Sequence, residues 1–380
     1  LSGYSSSVND YIRDGHDFQP DQYNYNFGNY SGKFILKRNK EAVLGKKEKI
    51  KVTCLDNDAN AWEITTPDGF VYTFNQYETY TDNESSSAGP PGTYKTSWYL
   101  TKITSPKGDE VNLYYTTIAN TYLKPVGSFT ETQNPNVFDY TPANICNSVW
   151  SGTAYPTSYR TTPGKEYKII YLDKIVFSDG EVRFQYASDR LDVVNDVRLT
   201  KVQIYRNTYN PATTQLFKEW EFTHGYLEGT ADQDYVAGTN DQRSKRLKLA
   251  SVREKDAAGN ALQPYVFKYN NEDVINASLY PAKTSFARDH WGYYNGKASN
   301  TSVVPNFTYL NSSDIVAYHL GIMGDNRDPN PLYSQLFILN EIQYPTGGKT
   351  VFEYEQNDFD FNKSKIHDQS YFGNISEPAP

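Results

Sequence analysis

Sulfur is scarce in this chain: two cysteines, Cys54 and Cys146, and a single methionine in 380 residues. No disulfide framework or paired-cysteine metal knuckle can be assembled from so few thiols. Two readings of Cys54 and Cys146 stay open: one bridge between them, or two separate buried thiols. Long apolar runs are also missing. None approaches the roughly 18 residues that a membrane-spanning helix needs. Leu1–Asn9 lacks a charged-then-apolar leader pattern, so any export signal or anchor is expected outside this segment. Helical heptads are absent, and basic runs stop at short clusters such as Lys46-Lys47. With a net charge of −8, the chain is a poor match for a polyanion, and nucleic acid is not expected as a partner.

Catalytic signatures are missing as well. The chain has no G-x-S-x-G elbow, no H-E-x-x-H helix, no phosphate-cradling glycine loop and no dinucleotide fingerprint. His16, His224, His319 and His367 share no ligand spacing, so no zinc site is expected. Asp56-Asn57-Asp58-Ala59-Asn60 imitates the opening of a calcium loop. The imitation fails at Ala61, where that loop has Gly, and at Pro67, where it has a bidentate Glu, and a polar turn is the expected reading. No cofactor is expected.

What is present is aromatic and repetitive. Tyr occurs 34 times and aromatics make up 15% of the residues, which suits half-buried strands. A Leu-x-x-Ile phrase recurs before a glycine-containing turn: Leu100 to Ile103 before Ser105-Pro106-Lys107-Gly108, Leu172 to Ile175 before Phe177-Ser178-Asp179-Gly180, and Leu339 to Ile342 before Tyr344-Pro345-Thr346-Gly347-Gly348. Leu199 to Val202 and Leu249 to Val252 are looser copies, and Thr66-Pro67-Asp68-Gly69 shares the turn. Proline at the second turn position presets φ, glycine at the fourth supplies a left-handed residue, and alanine at Gly69 or Gly108 is expected to strain the turn. In Glu181 to Tyr186 the apolar residues alternate, giving one buried and one wet face. In the Leu-x-x-Ile strands the apolar residues stand three apart. Either the sheet is covered on both sides there, or a bulge bends each hairpin.

The expected fold is all-β: a large, twisted, mostly antiparallel sheet of repeated hairpins with long irregular insertions. The expected organisation is an N-terminal arm over 1–28, one elongated body over 29–355 with insertions at about 118–166 and 271–334, and a tail over 356–380.

These hairpins, together with Tyr23 to Phe34, Asp289-His290-Trp291-Gly292-Tyr293-Tyr294-Asn295-Gly296 and Tyr344 to Glu355, resemble the RHS/YD-repeat proteins of bacterial cell surfaces, in the form found among Bacteroidetes. The resemblance covers most of the chain. It implies a segment of a larger secreted or surface protein, upstream of the YD repeats proper, in a family whose repeats wind a continuous β-shell. That shell sometimes encloses or presents a toxic C-terminal domain. The implied partners are other segments of the same protein, a C-terminal effector domain or a surface glycan. The YD array and the effector do not occur in this sequence.

The expected function is therefore a non-catalytic structural scaffold, part of a shell or display surface. Two alternatives are kept: a carbohydrate-binding module, through Trp98, Trp150, Trp220 or the 291–294 cluster, and a glycoside-active enzyme using paired carboxylates not locatable in sequence. The most site-like cluster is Asp289, His290, Trp291, Tyr293 and Tyr294, where a carboxylate beside an imidazole could orient a base or bind a metal. The structural reading favoured for it has the aromatics plugging the sheet while Asp289 and His290 satisfy loop backbone groups.

Overall fold

The structure is a computed structural model that describes residues 21–37, 39–56, 58–82, 92–117, 122–123, 129–133, 151–154, 156–160, 165–193, 196–209, 212–230, 244–272, 280–283, 285–303, 307–310, 319–322 and 325–356. The fold is nearly all β. Fifteen strands share one sheet. Its path starts at β23 (Lys349–Val351), β22 (Leu339–Gln343), β19 (Tyr265–Tyr269) and β18 (Lys245–Asp256). It continues through β17 (Ala212–Glu228), β16 (Arg198–Tyr209), β15 (Gly180–Ala187), β14 (Tyr171–Phe177), β8 (Glu110–Thr116), β7 (Gly92–Thr104) and β6 (Val71–Asp82). The far end is β13 (Lys165–Lys168) and β9 (Tyr122–Leu123), while β5 (Trp62–Thr65) pairs with β6 and carries β4 (Lys51–Cys54). The sheet is antiparallel and does not close into a barrel.

The Leu-x-x-Ile phrase has a definite structural meaning. In four copies the residue after the Leu is skipped in the pairing register: Thr101 opposite β6, Asp173 opposite β8, Thr200 opposite β15 and Asn340 opposite β19. The skip returns the Ile or Val to the face of the Leu. Leu172 and Ile175 pair with Tyr115 and Leu113, which are two residues apart and so point the same way. The same holds for Leu199 and Val202 opposite Tyr186 and Phe184, and for Leu339 and Ile342 opposite Tyr269 and Phe267. Of the two sequence-level alternatives, the bulge is the one the chain uses.

The turns also repeat. In Thr66–Phe70, Ser105–Asp109, Asp256–Asn260 and Tyr344–Gly348 the first residue's N–H donates to the fifth residue's carbonyl, and the fourth residue, always Gly, donates back to the first. Gly69, Gly108, Gly259 and Gly347 have φ of 85°, 89°, 85° and 87°, a three-residue hairpin loop closed by a left-handed residue. Gly180 departs from the expectation. It pairs directly with Phe177, and its requirement is space: a Cβ there would sit 2.1 Å from the Tyr205 carbonyl oxygen.

By internal contacts the chain divides into two compact units: Leu1–Lys124 with Pro163–Thr223 and Ser251–Pro264, and Pro125–Thr162 with His224–Ala250 and Tyr265–Pro380. In the first unit, β1 (Gln22–Phe27) forms a three-stranded sheet with β2 (Tyr30–Leu36) and β3 (Ala42–Leu44). The expected arm over 1–28 thus contains a strand, because Tyr23, Tyr25 and Phe27 alternate with asparagines and give it one apolar face. Tyr25, Phe27 and Phe34 from this small sheet pack with Ile50, Trp62 and Ile64 into the buried aromatic core.

The expected insertion over 118–166 contains strands as well. Besides β9 and β13, β10 (Phe129–Gln133) pairs with β12 (Pro156–Arg160), and β11 (Ser151–Ala154) pairs in parallel with β21 (His319–Ile322), itself paired with β20 (Phe307–Leu310). The region 271–334 is irregular over its described stretch 285–303 and ends in a single-turn helix, α1 (Pro331–Ser334), capped by the Asn330 side chain. Cys146, Trp150, His16, His367 and the tail after Gln356 lie outside the described residues.

Candidate functional site

Three features could carry function: the loop around Asp289, an aromatic groove in the first unit, and the contacts that lock each bulge.

Asp289 is 1% exposed, and its Oδ1 accepts hydrogen bonds from the Trp291 and Tyr293 amides, both at 2.9 Å. Asp289 N–H donates to the Tyr293 carbonyl, Gly292 donates to the Asp289 carbonyl, and Gly292 has φ of 94°. This is the hairpin turn found elsewhere in the chain, with an acidic side chain capping its amides. Asp256 caps Ala258 and Asn260 in the same way, and Ser105 caps Lys107 and Asp109. Asp289 therefore meets backbone amides, the role favoured from sequence. His290 is exposed, and Trp291 and Tyr293 are 41% and 48% exposed, so neither aromatic plugs the sheet as expected. Tyr294 does pack, edge-on to Tyr333 at 5.5 Å, and burial pushes its hydroxyl pKa up. The loop is held from behind by Arg327, which donates to the carbonyls of Arg288, Asp289 and Val303. Asn295, fully buried, donates to the carbonyls of Asn326 and Asp328.

The groove has a volume of about 840 Å³. Tyr23, Asn24 and Asn26 of β1 line it together with Tyr94, Lys95 and Trp98 of β7. Tyr23 stacks on Phe34 at 5.2 Å and meets Trp62 at 5.0 Å and Trp98 at 5.8 Å. Burial, then the nearby Asp21, raise the Tyr23 pKa. The calcium-like segment borders this groove and is tied down by protein groups. Asp56 Oδ1 accepts from the Asp58 and Asn60 amides, Lys95 Nζ donates to the Asp58 carbonyl at 2.6 Å, and Trp98 Nε1 donates to the Ala59 carbonyl at 2.8 Å. The amide of Asn60 is the main cause of the lowered Asp56 pKa. Among the described residues no group of three His, Cys, Asp or Glu side chains could hold a metal ion. Trp98 is the lining residue expected from sequence as a sugar-stacking candidate; Tyr23 and Tyr94 join it, and the signal for Tyr23 is the alternation Tyr23-Asn24-Tyr25-Asn26-Phe27, which marks a strand with one aromatic face.

A tyrosine locks three of these four bulges, at Leu100, Leu172 and Leu339, and the same bond forms at Leu249 of a looser copy. Tyr115 donates to the Leu100 carbonyl at 2.7 Å, Tyr186 to Leu172 at 2.8 Å, Tyr269 to Leu249 at 2.9 Å and Tyr354 to Leu339 at 2.5 Å. A carbonyl beside a skipped residue is a natural orphan of the ladder, and the hydroxyl satisfies it. The same tyrosines face the next leucine along the sheet: Tyr115 pairs with Leu172, Tyr186 with Leu199, and Tyr269 with Leu339. Burial pushes the Tyr115 pKa up to about 12 and raises those of Tyr186 and Tyr269. The skipped threonines also bond to the facing strand: Thr101 Oγ1 donates to the Thr73 carbonyl at 3.1 Å, and Thr200 Oγ1 to the Gln185 carbonyl at 3.0 Å. These tyrosines are visible in sequence as a repeated apolar-x-Tyr ending: Leu113 to Tyr115, Phe184 to Tyr186, Phe267 to Tyr269 and Phe352 to Tyr354.

Neither a family model nor a curated protein sequence matches the chain. Among solved structures it is similar to the N-terminal domain of the effector protein SpvB from Salmonella typhimurium, at 8% identity and a TM-score of 0.30, over 62% of this chain and 74% of that one. It is also similar to the Photorhabdus luminescens Tc holotoxin pore carrying a TccC3 mutation, at 11% identity and a TM-score of 0.29. That match covers 67% of this chain and spans 12% of the other. Likeness at this level carries no argument about function.

Proposed function

We propose that this chain is a non-catalytic scaffold segment of a larger secreted or cell-surface bacterial protein, forming part of an RHS-like β-shell or display surface. The observation that supports the reading is the repeated bulge and tyrosine lock. One local device recurs in both units, and it serves to fix strand register and join hairpins edge to edge. The most site-like cluster is spent on the same purpose, since the Asp289 carboxylate caps its own turn. Fractionation of the producing cell tests the location: the protein is expected outside the cytoplasm and open to added protease on intact cells, and a protein confined to the cytosol contradicts the proposal.

A second reading, carbohydrate binding, is favoured by the groove. Aromatic rings beside amide and hydroxyl side chains suit a neutral, polyhydroxylated ligand, and the volume falls within the roughly 300–1,000 Å³ typical of ligand pockets. Tyr94 is 39% exposed, so Tyr94→Ala is expected to weaken glycan binding without unfolding the chain. A glycan array with no binder removes this reading.

A further inference from the structure

We propose that the groove of the first unit takes a neutral saccharide carrying an N-acetylated amine, whose acetamido carbonyl accepts a hydrogen bond from the Trp62 indole. This deepens the carbohydrate reading and rests on it. Trp62 is 4% exposed and lines the groove, and its Nε1 has no hydrogen-bond partner among the described residues. A buried indole N–H normally finds an acceptor, and leaving one unmet is costly. The neighbouring Trp98 shows the ordinary arrangement. The two indoles meet edge-on at 5.9 Å, and Trp98 Nε1 donates to the Ala59 carbonyl at 2.8 Å, while the Trp62 donor is left over.

The surroundings of that donor select the ligand group. Trp62 sits among Tyr23, Phe34 and Trp98, at ring distances of 5.0, 5.3 and 5.9 Å. A sugar hydroxyl brought to this wall supplies an acceptor, but it also brings a proton that the rings do not satisfy. An acetamido group supplies an oxygen that only accepts, beside a methyl group suited to aromatic surroundings. Its own N–H has acceptors in the same lining, the side-chain oxygens of the exposed Asn24 and Asn26. Charge narrows the choice further. Asp21 and Asp58 line the groove, and Lys95 already donates to the Asp58 carbonyl and lies over the Tyr77 ring at 5.2 Å. A carboxylated or phosphorylated sugar would find no uncommitted cation among these lining residues, so the neutral N-acetylhexosamine is favoured. Nε1 is shielded from water, and the ligand reaches it only by displacing side chains packed over it.

The probes are N-acetylated chitotriose and cellotriose, which carries hydroxyls in place of the acetamido groups, each titrated into the chain by calorimetry. The acetylated trimer is expected to bind about tenfold more tightly. In Trp62→Phe, which keeps a ring and removes the N–H, the two affinities should come within about twofold of one another. A second readout needs no variant: in the nitrogen-correlated NMR spectrum of the parent chain, the Trp62 indole signal should move downfield on saturation with the acetylated trimer and stay in place with cellotriose. Equal binding of the two trimers by the parent overturns the proposal and leaves the carbohydrate reading standing. A preference that persists in folded Trp62→Phe also overturns it, as does a Trp62 indole signal that the acetylated trimer does not move. Binding of neither trimer overturns it as well, and the carbohydrate reading then stands or falls on the glycan array.

Discussion

Tyr115 shows how a single hydroxyl serves the fold and reports on it. Its ring is partly buried, and its O–H satisfies the Leu100 carbonyl next to a skipped residue. Burial holds its folded pKa near about 12, above the 10.0 of an unconstrained tyrosine. The unfolded chain therefore loses this proton first. The stability that the neutral hydroxyl contributes is intact below the unfolded value and is lost as pH rises through the folded one. Stability is expected to fall between about pH 10 and 12, with a shallower fall in Tyr115→Phe; equilibrium unfolding across that range, read beside tyrosinate absorbance, checks it. Glycines at two positions have different requirements. Gly108→Ala forces a side chain into left-handed backbone and should cost about 1–2 kcal/mol in urea unfolding. Gly180→Ala should cost more, since its Cβ meets the backbone of the neighbouring strand and cannot be relieved by rotating a side chain.

At the scale of elements, the bulge was legible as a choice but not as an answer. Leu and Ile three apart state that something must give, and sequence alone does not say whether the sheet is doubly covered or kinked. At Leu172 and Leu100 a tyrosine 14 and 15 residues further on bonds to the carbonyl beside the skipped residue; its apolar-x-Tyr ending is visible in the sequence, but its pairing with the bulge is not. The turns were more legible, because proline and glycine act within four residues. The exception is Gly180, whose constraint is the Tyr205 backbone on another strand. Deleting Asp173 should send Ile175 to the opposite face and lower stability by about 3 kcal/mol or more, whereas Asp173→Gly, which keeps the skipped position, should cost under about 1 kcal/mol. Circular dichroism with denaturant melts of both variants separates the two cases.

For the whole molecule, sheet order from β14 to β19 follows chain order, and so it could be read from successive hairpins. What could not be read was the return of β13 and β9 to the far end of the sheet, or the pairing of β11 with β21, because residues 118–166 lack clean alternation and partners so distant in sequence leave no local mark. Of the candidate sites, the Asp289 loop is legible by its chemistry and is a capped turn, while the groove is not legible, because its first strand lies in a polar, Asn-rich stretch. The tyrosine locks help make a series of hairpins into one sheet. The most direct test is the unfolding free energy of Tyr115→Phe, Tyr186→Phe and Tyr269→Phe against Tyr114→Phe, a residue 47% exposed. Each lock variant leaves a carbonyl unsatisfied and is predicted to lose about 1–3 kcal/mol, with Tyr114→Phe within about 0.5 kcal/mol of the parent. Three lock variants as stable as Tyr114→Phe would contradict it.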